Sequence, residues 1–159
     1  MERRMHIVNN NTDTPATTTA LRIAFASTDL VHVDQHFGAA QGFVIYLIDM
    51  EKAVLQEVLQ FRPQAQDGNE AKLGEKIALL THCAAVYCQA VGASAVQQLL
   101  AAGVQPVKVS ESSSINALIM TLQEELRSGP SAWLAKAINK IQKVDSRRFD
   151  TMAVESWNE

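Results

Sequence analysis

A chain of 159 residues, 47% hydrophobic and 19% charged, is long enough to bury a core and reads as one globular domain. Its net charge of −3 and pI near 5.8 exclude a global positive field of the kind that gathers nucleic acid. Any anionic ligand must therefore be held by local donors.

The N-terminal residues Met1 to His6 are charged and run into Asn9 to Thr19, polar where a signal peptide needs an apolar run. No apolar run approaches the roughly 20 residues of a membrane helix. A cytoplasmic protein is expected, with neither membrane nor nucleic acid among its partners. Residues 1–20 hold Pro15 and almost nothing apolar after Val8, a composition that predicts a disordered tail. Residues 21–143 form the expected domain, and the polar segment 144–159, with scattered Phe149 and Trp157, a C-terminal tail.

Leu21 to Ala26 is apolar except for Arg22 and predicts a central strand. A loop from Ser27 to Gln41 follows, carrying His32 and the motif Asp34-Gln35-His36-Phe37-Gly38. Phe43 to Ile48, β-branched and aromatic, predicts the second strand. After a turn at Asp49 to Lys52, Ala53 to Phe61 reads as a third strand, although Val54, Leu55, Val58 and Leu59 suit a helix equally well. Pro63 to Gly68 is a polar loop, and Asn69 can cap a helix with Leu73, Ile77 and Leu80 on one face, ending near His82. Ala84 to Cys88 is a short buried strand. A helix opens at Gly92 and stops at Gly103, and Val104 to Val109 is a strand that Pro106 assigns to an edge. Ser110 to Ser114 lead into a helix striped by Ile115, Leu118, Ile119, Leu122 and Leu126. Gly129-Pro130 breaks it before a last helix from Trp133 to Ile141. The order predicts an α/β fold, a mixed five-stranded sheet with helices on both faces.

In such a sheet ligands collect beyond the carboxyl ends of the parallel strands. With strands one, four and five parallel, that rim gathers Ser27-Thr28, Cys88-Gln89, Ser110-Glu111 and the loop bearing His36. Two helix amino termini, near Ala93 and Ser114, would present free N–H groups to an anion there. Ser112, Ser113 and Ser114 are either further donors or simple helix caps. A loop histidine can give one ring nitrogen to a ligand while a carboxylate such as Asp34 fixes the other. On residue type alone, a loop histidine without a role is the commoner reading. Cys83 and Cys88 lack a CxxC spacing and flank a strand that holds them on the order of 16 Å apart, so they cannot share one small metal centre. Cys88 is the rim candidate, though ordinary burial is commoner for such a residue, and Cys83 reads as a small core residue. Arg22, at the far end of its strand, suits a structural ion pair. Phe37 is expected to pack the loop down, and Gly38 to permit a turn that a side chain would obstruct.

Arg22-Ile23-Ala24-Phe25-Ala26-Ser27 followed by Asp34-Gln35-His36-Phe37-Gly38 resembles the nitrogenase cofactor-biosynthesis domain of the NifX and NafY type. The likeness covers the chain from about Leu21 to the helix ending near Lys140, and the two motifs together are more specific than either alone. It implies a ribonuclease H-like motif and a non-catalytic carrier. Its cargo would be an Fe–S cluster precursor of the iron-molybdenum cofactor, the product of NifB, passed to the NifEN scaffold. His36 would be the metal ligand, with Ser27, Asp34, Gln35 and Cys88 as further binding residues. Two other classes compete: a protein-binding module that stabilises assembly partners, and a metal-dependent nuclease suggested by the fold alone. The nuclease needs clustered carboxylates, and the first strand has none between Leu21 and Ala26.

Overall fold

Leu21, Ile23 and Phe25 point to one face of the first central strand and Ala24 and Ala26 to the other, all fully buried. A strand buried on both faces must lie inside a sheet with cover above and below. The structure, a computed structural model that describes residues 3–6, 20–61, 70–111 and 113–141, has this arrangement. Its elements are β1 (Arg3–His6), β2 (Leu21–Ala26), β3 (His32–Val33), β4 (Gly42–Ile48), β5 (Ala53–Gln60) and α1 (Glu70–Leu79). They continue with β6 (Ala85–Cys88), α2 (Ala93–Ala101), β7 (Gln105–Lys108), β8 (Ser113–Ser114), α3 (Ile115–Ser128) and α4 (132–141).

The five predicted strands form one mixed sheet in the order β5-β4-β2-β6-β7. β2, β6 and β7 run parallel, and β4 and β5 antiparallel to their neighbours. β1 adds a sixth strand on the outer side of β5, with Arg3 opposite Gln60 and His6 opposite Glu57. It falls inside the segment read as a tail. An edge strand needs backbone pairing along one side only, and Arg-Arg-Met-His has no apolar alternation to betray it. Residues 7–19, the loop from Pro63 to Gly68 and the expected tail at 144–159 lie outside the described residues.

α1 and α2 cover one face, where Ile77, Leu80, Ala95 and Leu99 pack on Ala24, Ile45 and Val86. α3 and α4 cover the other through Ile115, Ile119, Leu122 and Leu134. The ambiguous third strand is a strand because it pairs on both sides, and its buried Val58 and Leu59 face opposite layers of the sheet. Gly103 ends α2 at φ +82° and Gly129 ends α3 at φ +142°, conformations that carry no side-chain penalty in glycine. Arg22 lies 3.8 Å from the fully buried carboxylate of Glu57, the ion pair expected at the start of β2.

Gly38 departs from its expectation. Its φ is not positive, and nothing lies within 4 Å of where a Cβ would stand. The glycine hemmed in by backbone is Gly42: a Cβ at Gly103 would meet only the flexible end of Lys140, whereas one at Gly42 would meet the carbonyl oxygens of Ser27 and Leu59 at 3.1 Å each. Both are backbone atoms of strand-end pairs, so neither moves cheaply. Gly42→Ala should therefore cost about 1–3 kcal/mol, while Gly38→Ala should be near neutral. Urea denaturation of the two variants checks this; equal midpoints would show that the strand ends yield.

Candidate functional site

The carboxyl ends of β2, β6 and β7 gather the residues expected at the rim. Ser27 leaves β2 with its N–H donating to Gly42 O at 3.1 Å, and its side chain is buried. Leu30, the one non-glycine described residue at positive φ (+67°), donates its N–H to Ser27 Oγ at 3.0 Å. Ser27 Oγ in turn donates to Asp29 Oδ1 at 3.2 Å. Ser27 is thus the brace of a tight turn that returns the chain to the rim.

The motif segment then crosses the strand ends. Asp34 N–H donates to Ala26 O at 3.2 Å, Gln89 N–H to Gln35 O at 2.9 Å, and Phe37 N–H to Ala90 O at 2.8 Å. His36 sits opposite Ala90 in a parallel bridge between the last two of these bonds. Phe37 is fully buried, tilted against Phe43 at 5.6 Å between ring centroids, which is the packing role expected of it. Gln35 binds locally, its amide nitrogen donating to Asp34 O at 3.1 Å and its oxygen accepting from Gln41 N–H at 3.2 Å. The His36 ring is left exposed on a backbone that is pinned on both sides.

Asp34 has a different partner from the one expected. Its carboxylate accepts from Thr28 N–H at 2.9 Å and from Thr28 Oγ1–H, tying the two limbs of the loop together. The carboxylate that meets an imidazole is Asp29, whose Oδ2 lies 2.8 Å from His32 Nδ1. Asp29 Oδ1 also accepts from the N–H groups of Val31 and His32, each at 2.8 Å. The His32 contact, and then these backbone donors, hold the Asp29 carboxyl well below the usual carboxylate range. Sequence reading passed over this pair; the Ser-Thr-Asp turn with a histidine three residues on was its only signal.

Cys88 is at the rim by position but closed by packing. It is fully buried, its sulfur is 4.0 Å from Val107 O, and burial pushes its thiol up to about 11. Cys83 is buried as expected, its thiol pushed up to about 12. Of the serines, Ser114 is a helix cap, accepting from Ala117 N–H at 3.4 Å, and Ser113 Oγ donates to Ser110 O at 2.8 Å. Ser112 lies outside the described residues. Lys76, on α1, reaches under the loop to Gly38 O at 2.8 Å and over the Phe61 ring at 5.8 Å, and burial lowers its pKa. Beside Ser27 a shallow hollow of about 190 Å³ opens between Thr28, Leu30, Gln41, Gly42 and the end of β5. No charged side chain is among its described lining. Among the described residues no three His, Cys, Asp or Glu side chains gather to hold a metal ion. No helix of the described residues is long and apolar enough to cross a membrane.

These features define an α/β domain with a candidate ligand edge at the ends of its parallel strands, where His36 is exposed and the His32 side chain is 43% exposed. The same fold is found in the crystal structure of PH0822, with a TM-score of 0.54 over 71% of this chain and 97% of that one, at 20% identity. The sequence profile described as dinitrogenase iron-molybdenum cofactor matches residues 19–125. NifX of Azotobacter vinelandii is 57% identical over 141 residues, 89% of each chain. NifX of Herbaspirillum seropedicae is 33% identical over 125 residues, 78% of this chain and 86% of that one. NifY of Azotobacter vinelandii is 29% identical over 75% of this chain and 48% of its own. The chain belongs to the dinitrogenase iron-molybdenum cofactor family. The resemblance read from the two motifs therefore holds, and the matched span contains both.

Two outcomes follow from the charge states. Both thiols should stay protonated near pH 8 and react with a disulfide reagent only as fast as the chain opens. Prompt labelling of either cysteine in the native protein would contradict their burial. The low-lying Asp29 carboxyl favours the folded state above its ordinary pKa of 3.8, and that contribution is lost as pH falls through its lowered folded value. The stability gap between wild type and Asp29→Asn should therefore narrow as melts are recorded from about pH 6 down to about pH 2. A gap constant over that range would mean the carboxylate charge is not what the turn uses.

Proposed function

We propose that the chain is a non-catalytic carrier that binds an Fe–S precursor of the iron-molybdenum cofactor, the NifB product, and passes it to the NifEN scaffold. Family membership and the names of its relatives support the setting in nitrogenase cofactor assembly. We read the sheet order, with its second predicted strand antiparallel, as a ribonuclease H-like motif.

The observation that carries the reading is the His36 imidazole, exposed on a segment whose flanking carbonyl and N–H are bonded to the end of β6. Permanent Fe–S clusters are held by several cysteine thiolates. Here the accessible donors are imidazoles and the nearest thiol is shut and protonated, so the donors fit a pre-assembled cluster that keeps its own sulfides. Few protein bonds also allow the cargo to leave. For the partner-binding reading the relevant feature is the crest of the loop, where Leu30 and Val31 are 43% and 52% exposed. Against a nuclease, Asp29 and Asp34 already use their oxygens on the loop itself.

His36→Ala should bind the isolated precursor roughly 10–100-fold more weakly under anaerobic titration. Because the ring is exposed, the variant should melt within about 0.5 kcal/mol of wild type. Iron counting and visible absorption report the loading. A wild-type chain that takes up no iron while still binding assembly partners would replace the carrier reading with the partner-binding one.

A further inference from the structure

A segment crosses the strand ends from one core to the other, with Val33 in the layer of α3 and α4 and Phe37 in that of α1 and α2. Val33 and Phe37 are fully buried, while His32 and His36, each one residue earlier, face outward. β3 is fixed by β8, with His32 opposite Ser114, and Ile115 N–H donates to Val31 O at 2.8 Å. His32 is thus anchored to the start of α3, as His36 is anchored to the end of β6. Four residues of extended chain place the two histidines about 13 Å apart at most.

The rings differ in what holds them. Asp29 Oδ2 accepts from His32 Nδ1–H at 2.8 Å, and Asp29 is itself fixed by the Val31 and His32 N–H groups and by Ser27 Oγ. A carboxylate that takes the Nδ1 proton fixes the tautomer, leaves the Nε2 lone pair free and makes the ring a better donor. This is the support that metal-bound histidines ordinarily have. The His32 side chain is 43% exposed, so its free nitrogen is reachable from solvent.

We propose that His32, oriented by Asp29, is a second imidazole ligand at the ligand edge, and that it and His36 hold a polynuclear metal–sulfide cargo between them. A single ion held by two bonds of about 2 Å would need both ring nitrogens to converge closely on one point. A cluster several ångströms across relaxes that demand, so two rings on separately anchored segments can both reach it. Asp34 stands between the histidines but directs its carboxylate to Thr28, which keeps its charge off an anionic cargo.

The inference rests on the carrier reading, and the experiment separates the two. The full chain is loaded anaerobically with the isolated precursor, and nitrogen couplings to the paramagnetic cluster are recorded with ¹⁴N- and ¹⁵N-histidine-labelled protein. Wild type should show two imidazole nitrogens, and His32→Gln and His36→Gln one each. His32→Gln should bind about 10–100-fold more weakly. Asp29→Asn, which can still accept the backbone bonds of the turn but offers His32 Nδ1 a donor in place of an acceptor, should weaken the His32 coupling and binding, by no more than His32→Gln does. Circular dichroism melts confirm that each variant is folded. Wild-type affinity and an unchanged nitrogen count in His32→Gln would overturn the second ligand while leaving the carrier reading standing. Failure of the wild type to load would remove both.

Discussion

The bonding of the motif segment to the end of β6 is the constraint on which the candidate ligand edge depends. Gln35 O accepts from Gln89 N–H and Ala90 O from Phe37 N–H, so the residue between them has no freedom to shift along the rim. Each bond contributes on the order of 1 kcal/mol net, and the fully buried Phe37 adds roughly 2–3 kcal/mol by removal from water. These terms hold the loop against the sheet without involving His36. A side chain presented this way is pre-organised, because ordering its backbone was completed during folding. The sequence alone suggests a loose loop; the structure has a fixed one.

On the carrier reading, the same segment lets an acidic chain offer an edge to an anionic ligand. Two carboxylates lie within seven residues of His36, and free charges there would repel a negative cargo. Asp34 is turned onto Thr28, and Asp29 onto four donors of its own turn. Carboxylates saturated with N–H and O–H donors project less negative potential outward than free ones. Lys76, bonded to Gly38 O from beneath, adds a positive charge at the far limb of the loop. Local arrangement therefore does what net charge cannot.

Much of this was legible in the sequence, for identifiable reasons. Leu21 to Ala26 announced a two-sided strand because every residue but Arg22 is apolar. Gly103 and Gly129 announced helix ends because few other residues tolerate their φ. Arg3–His6 was illegible because its pairing is entirely with β5, 51 to 57 residues away in register. The partners of Asp34 and Asp29 were hidden for a related reason. Both lie on a turn whose geometry depends on Leu30 at φ +67°, and nothing in a leucine signals that conformation. The motif drew attention to Asp34 as a near neighbour of His36, which extended chain would put on the same side, but the Asp34 carboxylate turns back onto Thr28 instead. Cys88 was placed correctly at the rim, but position did not disclose that Val107 and the surrounding core close over it.

That closure bears on how a cargo could be exchanged. β6 lies between β2 and β7, bonded to both, and Cys88 pairs with Lys108 at its carboxyl end. To bring its sulfur to a ligand, the strand end would have to part from β7, and the thiol would have to lose a proton that burial holds to about 11. Both steps are costly at neutral pH, and a thiolate–iron bond formed behind them would be slow to break for the same reasons. An imidazole on the surface has neither barrier: it is accessible without unfolding, and its bond to a metal can be replaced by a receiving protein's ligand from solvent. On the carrier reading, the fold thus keeps its strong, slow donor shut inside the core and turns a weaker, exchangeable one outward.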